Sequence, residues 1–344
     1  MAAVTSTPRA DWPASADPAQ AQDGALLALG KALQAARYRH VTVTPATLAR
    51  VLRHAGGAPP VSLADVFGWS RSFREIDLPA DILALMRGAG VLRADGARWR
   101  SLVRASSLGN ALYFHSAYPT SAENAVFFGP DTYRFVRALR AELGTDPVDR
   151  VIGRAVDIGC GAGAAAIAIA LHAPAAAVLA LDINDDALRM TGINAALAGA
   201  ANVRTLHSDL LKAAEGQFDL IVANPPYLLD PGKRAYRHGG GEFGAALSVD
   251  IVETSLARLA PGGRLLLYTG VAMVDGVDLF RTRIAPLLDA AGAFWDYEEI
   301  DPDVFGEELD EARYRRAGDC VERIAAVWLR VCTARKGHKG NTGD

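Results

Sequence analysis

The sequence predicts an α/β protein: a doubly wound, mostly parallel seven-stranded sheet preceded by a smaller, mainly helical domain. Three observations predict it. The 344 residues suffice for two domains at ~100–200 residues each. From Val151 onward, apolar runs of strand length alternate with stretches of helical length, the mark of a parallel sheet with crossover helices. Before that point the apolar spacing is helical and ends in a hairpin pattern.

Taken in order, residues 1–22 read as a disordered leader rich in Ala, Pro, Ser and Asp. Gly24–Ala36 has helical spacing through Leu26, Leu27, Leu29 and Leu33. Thr44–His54 is a second helix, with Thr44 as cap and Pro45 at the first helical position. Pro59–Pro60 breaks the chain, and Ser62–Phe67 and Pro79–Gly88 are further short helices. Val91–Arg93 and Trp99–Arg104 form a hairpin around Asp95–Gly96. Short helices followed by a hairpin resemble a winged helix, and residues 23–116 are expected to form a recognition domain. Strands are then expected at Ala155–Ile158, Ala177–Asp182, Val203–His207, Leu220–Ala223, Arg264–Tyr268, Phe294–Ile300 and Ile324–Val331. Helices are expected at Ala162–Ala173, Asp185–Leu197, Leu247–Leu259 and Leu279–Ala290. Residues 117–335 make the second domain and 336–344 a disordered tail.

Half of the residues are apolar, so global disorder is excluded. No apolar run reaches the ~18–20 residues of a membrane span, and no secretory h-region is visible. Three widely spaced cysteines, Cys160, Cys320 and Cys332, make neither a disulfide framework nor a metal knuckle. The expectation is a cytoplasmic protein without a metal. Charge is unevenly spread. Gly24–Ser116 holds twelve Lys and Arg against five Asp and Glu, a surplus of +7, so the remainder of the −3 chain carries −10. Such a surplus suits an acidic partner such as nucleic acid, a solvated surface, or docking on the chain's own acidic half.

The chemistry sits in loops after strands. Val156-Asp157-Ile158-Gly159-Cys160-Gly161-Ala162-Gly163 runs from strand into a Gly-rich turn and then a helix. Glycines there let backbone approach a ligand at the carboxyl end of the sheet. Gly159, Gly161 and Ala164 also fit a dinucleotide turn, which leaves a nicotinamide dehydrogenase open at this point. Asp182, at the end of the second strand, is placed to accept from ribose hydroxyls, while Asn184, Asp185 or Asp186 caps the next helix. Asp209 ends the third strand on the same edge, suited to an adenine amine.

Asn224-Pro225-Pro226-Tyr227 follows the fourth strand directly. Its prolines fix φ and remove two backbone donors. The carbonyls of Asn224 and Pro225 and the Asn224 amide oxygen then become acceptors, and Tyr227 offers a ring face. The pattern describes a pocket for a planar group bearing an NH₂.

In this order Asp157–Gly163, Asp182, Asp209 and Asn224–Tyr227 resemble the successive motifs of class I S-adenosylmethionine (SAM)-dependent methyltransferases of the N-P-P-Y type. The likeness spans about 126–331 and is strongest to the HemK/PrmC glutamine methyltransferases and the "methyltransferase small" group. Phe127-Phe128-Gly129-Pro130-Asp131-Thr132 resembles the segment that closes over SAM in such enzymes, and His238-Gly239-Gly240-Gly241-Glu242-Phe243-Gly244 the Gly-rich stretch after N-P-P-Y. The bacterial Arg-Pro-x-Thr-Glu pattern is absent.

The resemblance implies a Rossmann-like methyltransferase sheet with SAM as cofactor. Gly159, Gly161 and Gly163 would pass under its methionine part, which Thr132 would help fix. Asp157 would hold its ammonium, Asp182 its ribose, Ile183 its adenine face and Asp209 the adenine amine. Asn224 and the Pro225 carbonyl would hold the acceptor nitrogen, with Tyr227 stacked on its plane. Protein glutamine is the leading acceptor; a ribosomal-RNA or other nucleic-acid base and a small molecule are alternatives. A nucleic-acid-binding module with a silent SAM-sensing domain is the reading from another class. The acidic stretch Glu298, Glu299, Asp301, Asp303, Glu307, Glu308, Asp310 and Glu311 is either a solvated loop or a clamp against the basic N-terminal part.

Overall fold

A computed structural model describes residues 21–56, 62–145, 150–232, 234, 236–241, 243–316 and 319–334. The tail expected over 336–344, the Pro59–Pro60 break, Glu242 and residues 1–20 of the expected leader lie outside these. Ala21 and Gln22, also placed in the leader, instead open helix α1 (Ala21–Ala35). The reason lies in its first turn, where Asp23 pairs with Arg189 at 2.6 Å.

The N-terminal part follows the expected order and adds to it. α1 buries Leu26, Leu29 and Leu33, the i, i+3, i+7 stripe of an amphipathic helix. α2 (Pro45–Ala55) is capped by Thr44, whose hydroxyl accepts from the Thr47 amide at 3.2 Å. α3 (Leu63–Phe67) starts with a Ser62/Asp65 capping box, and α4 (Ala80–Gly88) packs on α1. Strands β1 (Leu92–Asp95) and β2 (Arg98–Ser101) form the expected hairpin. Its turn falls at Gly96–Ala97, one residue later than the sequence placed it, because Gly96 at φ +61° takes the first loop position.

The strand expected over Trp99–Arg104 breaks at Leu102, where the Ser101 hydroxyl accepts from the Val103 amide and donates to the Val103 carbonyl. A second hairpin, β3 (Val103–Leu108) and β4 (Ala111–Ser116), follows. α5 (Pro130–Gly144) then leads into the sheet.

The sheet alternates strand and helix: β5 (Arg154–Ile158), α6 (Ala164–His172), β6 (Ala177–Asp182), α7 (Asp185–Ala198), β7 (Val203–His207), β8 (Phe218–Ala223), α8 (Ala246–Leu256), β9 (Leu259–Val274), a two-residue β10 (Val277–Asp278), α9 (Leu279–Ala290) and β11 (Phe294–Asp301). It ends with a two-residue β12 (Arg315–Arg316) and β13 (Asp319–Cys332). The seven long strands lie in the order β11-β13-β9-β8-β5-β6-β7. β7, β6, β5, β8 and β9 are parallel; β13 inserts antiparallel between β9 and β11. The doubly wound sheet read from the sequence is thus present.

Strand periodicity divides two cores. Leu220, Val222, Leu266, Tyr268, Ala326 and Trp328 face one cluster, which continues into α1, α4 and both N-terminal hairpins. Ile221, Ala223, Leu265, Leu267, Val327 and Leu329 face the other, under α8 and α9. Successive residues therefore alternate between faces, as a strand covered on both sides requires.

The N-terminal part is held to the sheet by more than apolar contact. Buried Asn194 of α7 accepts from the Phe114 amide at 2.8 Å, and its amide donates to the carbonyls of Phe114 at 3.0 Å and Ala162 at 2.9 Å. No helix among the described residues is long and apolar enough to cross a membrane.

Candidate active site

From β5 the chain winds one way through β6 and β7, and the other way through β8 and β9. The strand order reverses between β5 and β8, the position where open α/β sheets leave a crevice beyond their carboxyl ends. A cavity of about 230 Å³ opens there. Thr132, Asp157, Gly159, Gly161, Asp182, Ile183, Asp209, Asn224, Pro225 and Tyr227 all line it. Gly163 does not; it stands one position before α6 at φ +80°, and its α-carbon faces Thr191, where a β-carbon would clash.

The Gly-rich turn is built around carboxylates. Gly159 and Gly161 have φ of +70° and +53°, values that β-carbon-bearing residues resist, and nothing occupies the space beside Gly159. The Asp182 carboxylate accepts from the amides of Gly161 and Asn184, each at 3.0 Å, so it fixes the turn while lining the cavity. Asn184 caps α7 by accepting from the Asp186 amide at 3.0 Å. The cap expected at this corner is therefore Asn184, which leaves Asp182 free of that task. Asp157 is 2% exposed and accepts from the Ala166 amide at 3.0 Å. Burial, and then the nearby Asp182 charge, raise its pKa to about 7 against that hydrogen bond.

Along the same edge Ile183 stays 53% exposed, an apolar plate beside the Asp182 carboxylate. Asp209 pairs with Lys212 at the surface, and the adjacent Leu210, at φ +50°, also lines the cavity. Thr132, in the first turn of α5, accepts from the Gly129 amide at 3.3 Å.

The Asn224–Tyr227 turn stands opposite. Among the described residues, neither the Asn224 amide nor the carbonyls of Asn224 and Pro225 takes a protein hydrogen bond. Two prolines in succession leave these acceptors aimed away from any ladder. Tyr227 is 6% exposed. Its hydroxyl donates to Asp131 at 2.5 Å, and its ring lies so close over Gly270 that a β-carbon there would overlap it.

Asp131 is the main site residue that the sequence reading passed over. It is 4% exposed and also accepts from the Tyr268 hydroxyl at 2.8 Å. Arg134 pairs with it at 3.2 Å and with Asp301 at 3.0 Å. Burial raises the Asp131 pKa against the three hydrogen bonds that lower it. Its signal was present in Pro130-Asp131-Thr132, but two of its partners lie 96 and 137 residues away. Phe127, Tyr236, Arg237 and Phe305 also line the cavity from irregular segments that carry no periodicity.

Among the described residues, Glu298, Glu299, Asp301 and Glu308 of the acidic stretch pair with Arg330, Arg323, Arg134 and Arg237, all within the sheet-bearing part. The stretch is more than a solvated loop: Val304 and Glu308 are buried, and Phe305 between them reaches the cavity.

Residues 137–272 match the methyltransferase small domain. The release factor glutamine methyltransferase of Deinococcus radiodurans is 33% identical over 180 residues, 48% of this chain and 59% of that protein. Its counterpart in Escherichia coli K12 is 35% identical over 153 residues, 41% and 53% of the two chains. The ribosomal protein uL3 glutamine methyltransferase of Neisseria meningitidis serogroup A is 29% identical over 215 residues, 57% and 70%. Among solved structures, M. jannaschii TYW2 in complex with AdoMet superposes with a TM-score of 0.46 at 13% identity, covering 71% of this chain and 92% of that one. The chain spans little more than half the length of the release factor enzymes it matches. Residues 137–272 are thus similar to the methyltransferase small domain, and the chain is similar over part of its length to release factor and uL3 glutamine methyltransferases.

Proposed function

We propose that the protein is a SAM-dependent N-methyltransferase acting on a planar amide nitrogen, with a protein glutamine as acceptor. The observation that carries this is the uncommitted acceptor set of Asn224 and Pro225 across the crevice from the Gly-rich turn. The cleft suits SAM on its own chemistry: open space beside Gly159, a strand-end carboxylate at Asp182, an apolar plate at Ile183 and a buried carboxylate at Asp157. Gly159 and Gly161 would bring backbone under the methionine part, with Thr132 at its end, while Gly163 starts the helix behind them. Asp157 would hold the ammonium, Asp182 the ribose, and Asp209 with the Leu210 backbone the adenine edge. Bound there, SAM supplies a methyl group already activated by its sulfonium.

What remains for the protein is alignment. An amide nitrogen is a poor nucleophile because its lone pair is delocalised into the carbonyl. Asn224 and the Pro225 carbonyl accept its two N–H hydrogens, favour a pyramidal nitrogen, and stabilise positive charge as it develops there. Tyr227, fixed by Asp131, closes the side of the slot. The proton leaves to solvent after transfer, so no strong base is required.

Residues 23–116 are read as the recognition domain. Arg71, Arg74, Arg87 and Arg100 are paired within it. Exposed Lys31, Arg37, Arg50, Arg53 and Arg93 have no ion pair among the described residues. This surface suits an acidic face on a protein or RNA-bearing partner in the cytoplasm.

The test is transfer of labelled methyl from SAM into fractionated cell extract. Label is expected in protein, released as methylamine when the amide is hydrolysed. Label confined to RNA or small molecules would replace the glutamine reading with one of the alternatives.

A second measurement reads the Asp157 assignment. A cationic ammonium needs the carboxylate, so below the raised pKa of about 7 binding must expel a proton. Affinity for S-adenosylhomocysteine should fall as pH drops through 7 toward 5.5, approaching about tenfold per unit, and level off above 7. Calorimetry on wild type and Asp157→Asn checks it, and a flat wild-type profile would remove Asp157 from the ammonium.

A further inference from the structure

We infer that Phe305 supplies the face on which the acceptor's planar group stacks, making it the specificity wall of the slot; this rests on the methyltransferase reading above. Tyr227 has little face to offer, because it is 6% exposed, tied to Asp131 and packed over Gly270. Phe305 is half-buried, lines the same cavity, and meets the Tyr227 ring edge-on with centroids 6.1 Å apart and planes at 63°. Tyr227 therefore buttresses Phe305 rather than pairing with it as a sandwich.

The backbone argues in the same direction. Phe305 adopts φ +56°, ψ +39°, a left-handed conformation that bulky residues rarely take. Such a residue persists where its surroundings over-determine it, and those places concentrate at ligand sites. Here the restraints are explicit. The Val304 amide donates to the Ile324 carbonyl at 2.7 Å, and the Glu308 amide to the Phe305 carbonyl at 2.9 Å. Glu308 pairs with Arg237, itself a cavity residue, and Asp301 pairs with Arg134 at 3.0 Å. The Leu229 amide, just past the Asn224–Tyr227 turn, donates to the Tyr314 hydroxyl at 3.0 Å. The acidic segment is thus a strap that carries one ring to the acceptor turn and ties it on both sides.

The left-handed backbone also provides a clean variant. Phe305→Gly removes the ring while easing the conformation, so folding should survive, and Phe305→Leu keeps bulk without a π face. With labelled SAM and the extract fraction that wild type labels, Phe305→Gly should raise the acceptor KM roughly tenfold. Dissociation constants for S-adenosylhomocysteine should stay within about twofold. Phe305→Tyr should restore the KM, and Phe305→Leu only in part. Unchanged acceptor KM in Phe305→Gly overturns the inference, as does a cofactor affinity that falls in step with turnover. Label entering RNA instead of protein sinks the glutamine reading alone, since the same KM comparison then runs on RNA. A wild type that binds SAM yet labels no fraction sinks both.

Discussion

Asn224→Ala should lower the rate of methyl transfer by about 10²–10³, the usual loss when one preorganised polar group at a charge-developing centre is removed. The Asn224 side chain takes no hydrogen bond among the described residues and is only half-buried, so its loss leaves nothing unpaired in the fold. Stability should change by less than about 1 kcal/mol. Affinity for S-adenosylhomocysteine should move only a few-fold, because the Gly-rich turn and Asp182 stand on other strands. Single-turnover transfer set beside calorimetric binding separates the two effects. Full transfer in the variant would remove Asn224 from the reaction.

The second large effect is expected at Asp131. Asp131→Ala deprives the Tyr227 and Tyr268 hydroxyls of their acceptor and Arg134 of one carboxylate. Each buried hydroxyl left unpaired costs ~1–3 kcal/mol. The relief of a buried, desolvated carboxylate offsets part of that, so a net loss of about 2–4 kcal/mol in denaturant melts is expected. Asp131→Asn is the functional probe. It keeps one acceptor oxygen but presents an NH₂ to the other hydroxyl, so Tyr227 shifts. Turnover should fall by about tenfold or more while cofactor affinity holds. An Asp131→Ala melt superimposable on wild type would mean that something else holds Tyr227 in place.

The sheet was legible because its strands are buried on both faces and bounded by turn residues. Ala177–Asp182 and Val203–His207 fall at the observed limits. β3 and β4 were not legible, since Arg104, Ser106 and His115 are buried inside the hairpin, and Ser106 and His115 bond to Thr42, distant in sequence. A buried polar layer reads as surface when only local pattern is available. The same limit governed the site. Glycines, the Asn224–Tyr227 turn and Asp182 announce themselves by local chemistry. Asp131 and Phe305 matter through partners 96 and 78 residues away, and single-chain spacing carries no trace of that. For the acidic stretch, charge balance tells of basic partners but not that Arg134, Arg237, Arg323 and Arg330 are among them.

Asn194 has a consequence for how the protein can be handled. One amide touches both the Phe114 backbone and the Ala162 carbonyl of the Gly-rich turn. A scissor cut between the two halves would therefore strip a greasy flank and slacken the turn after β5 in one stroke. The front portion is no tethered accessory; the two should be expressed, purified and inherited as a single piece.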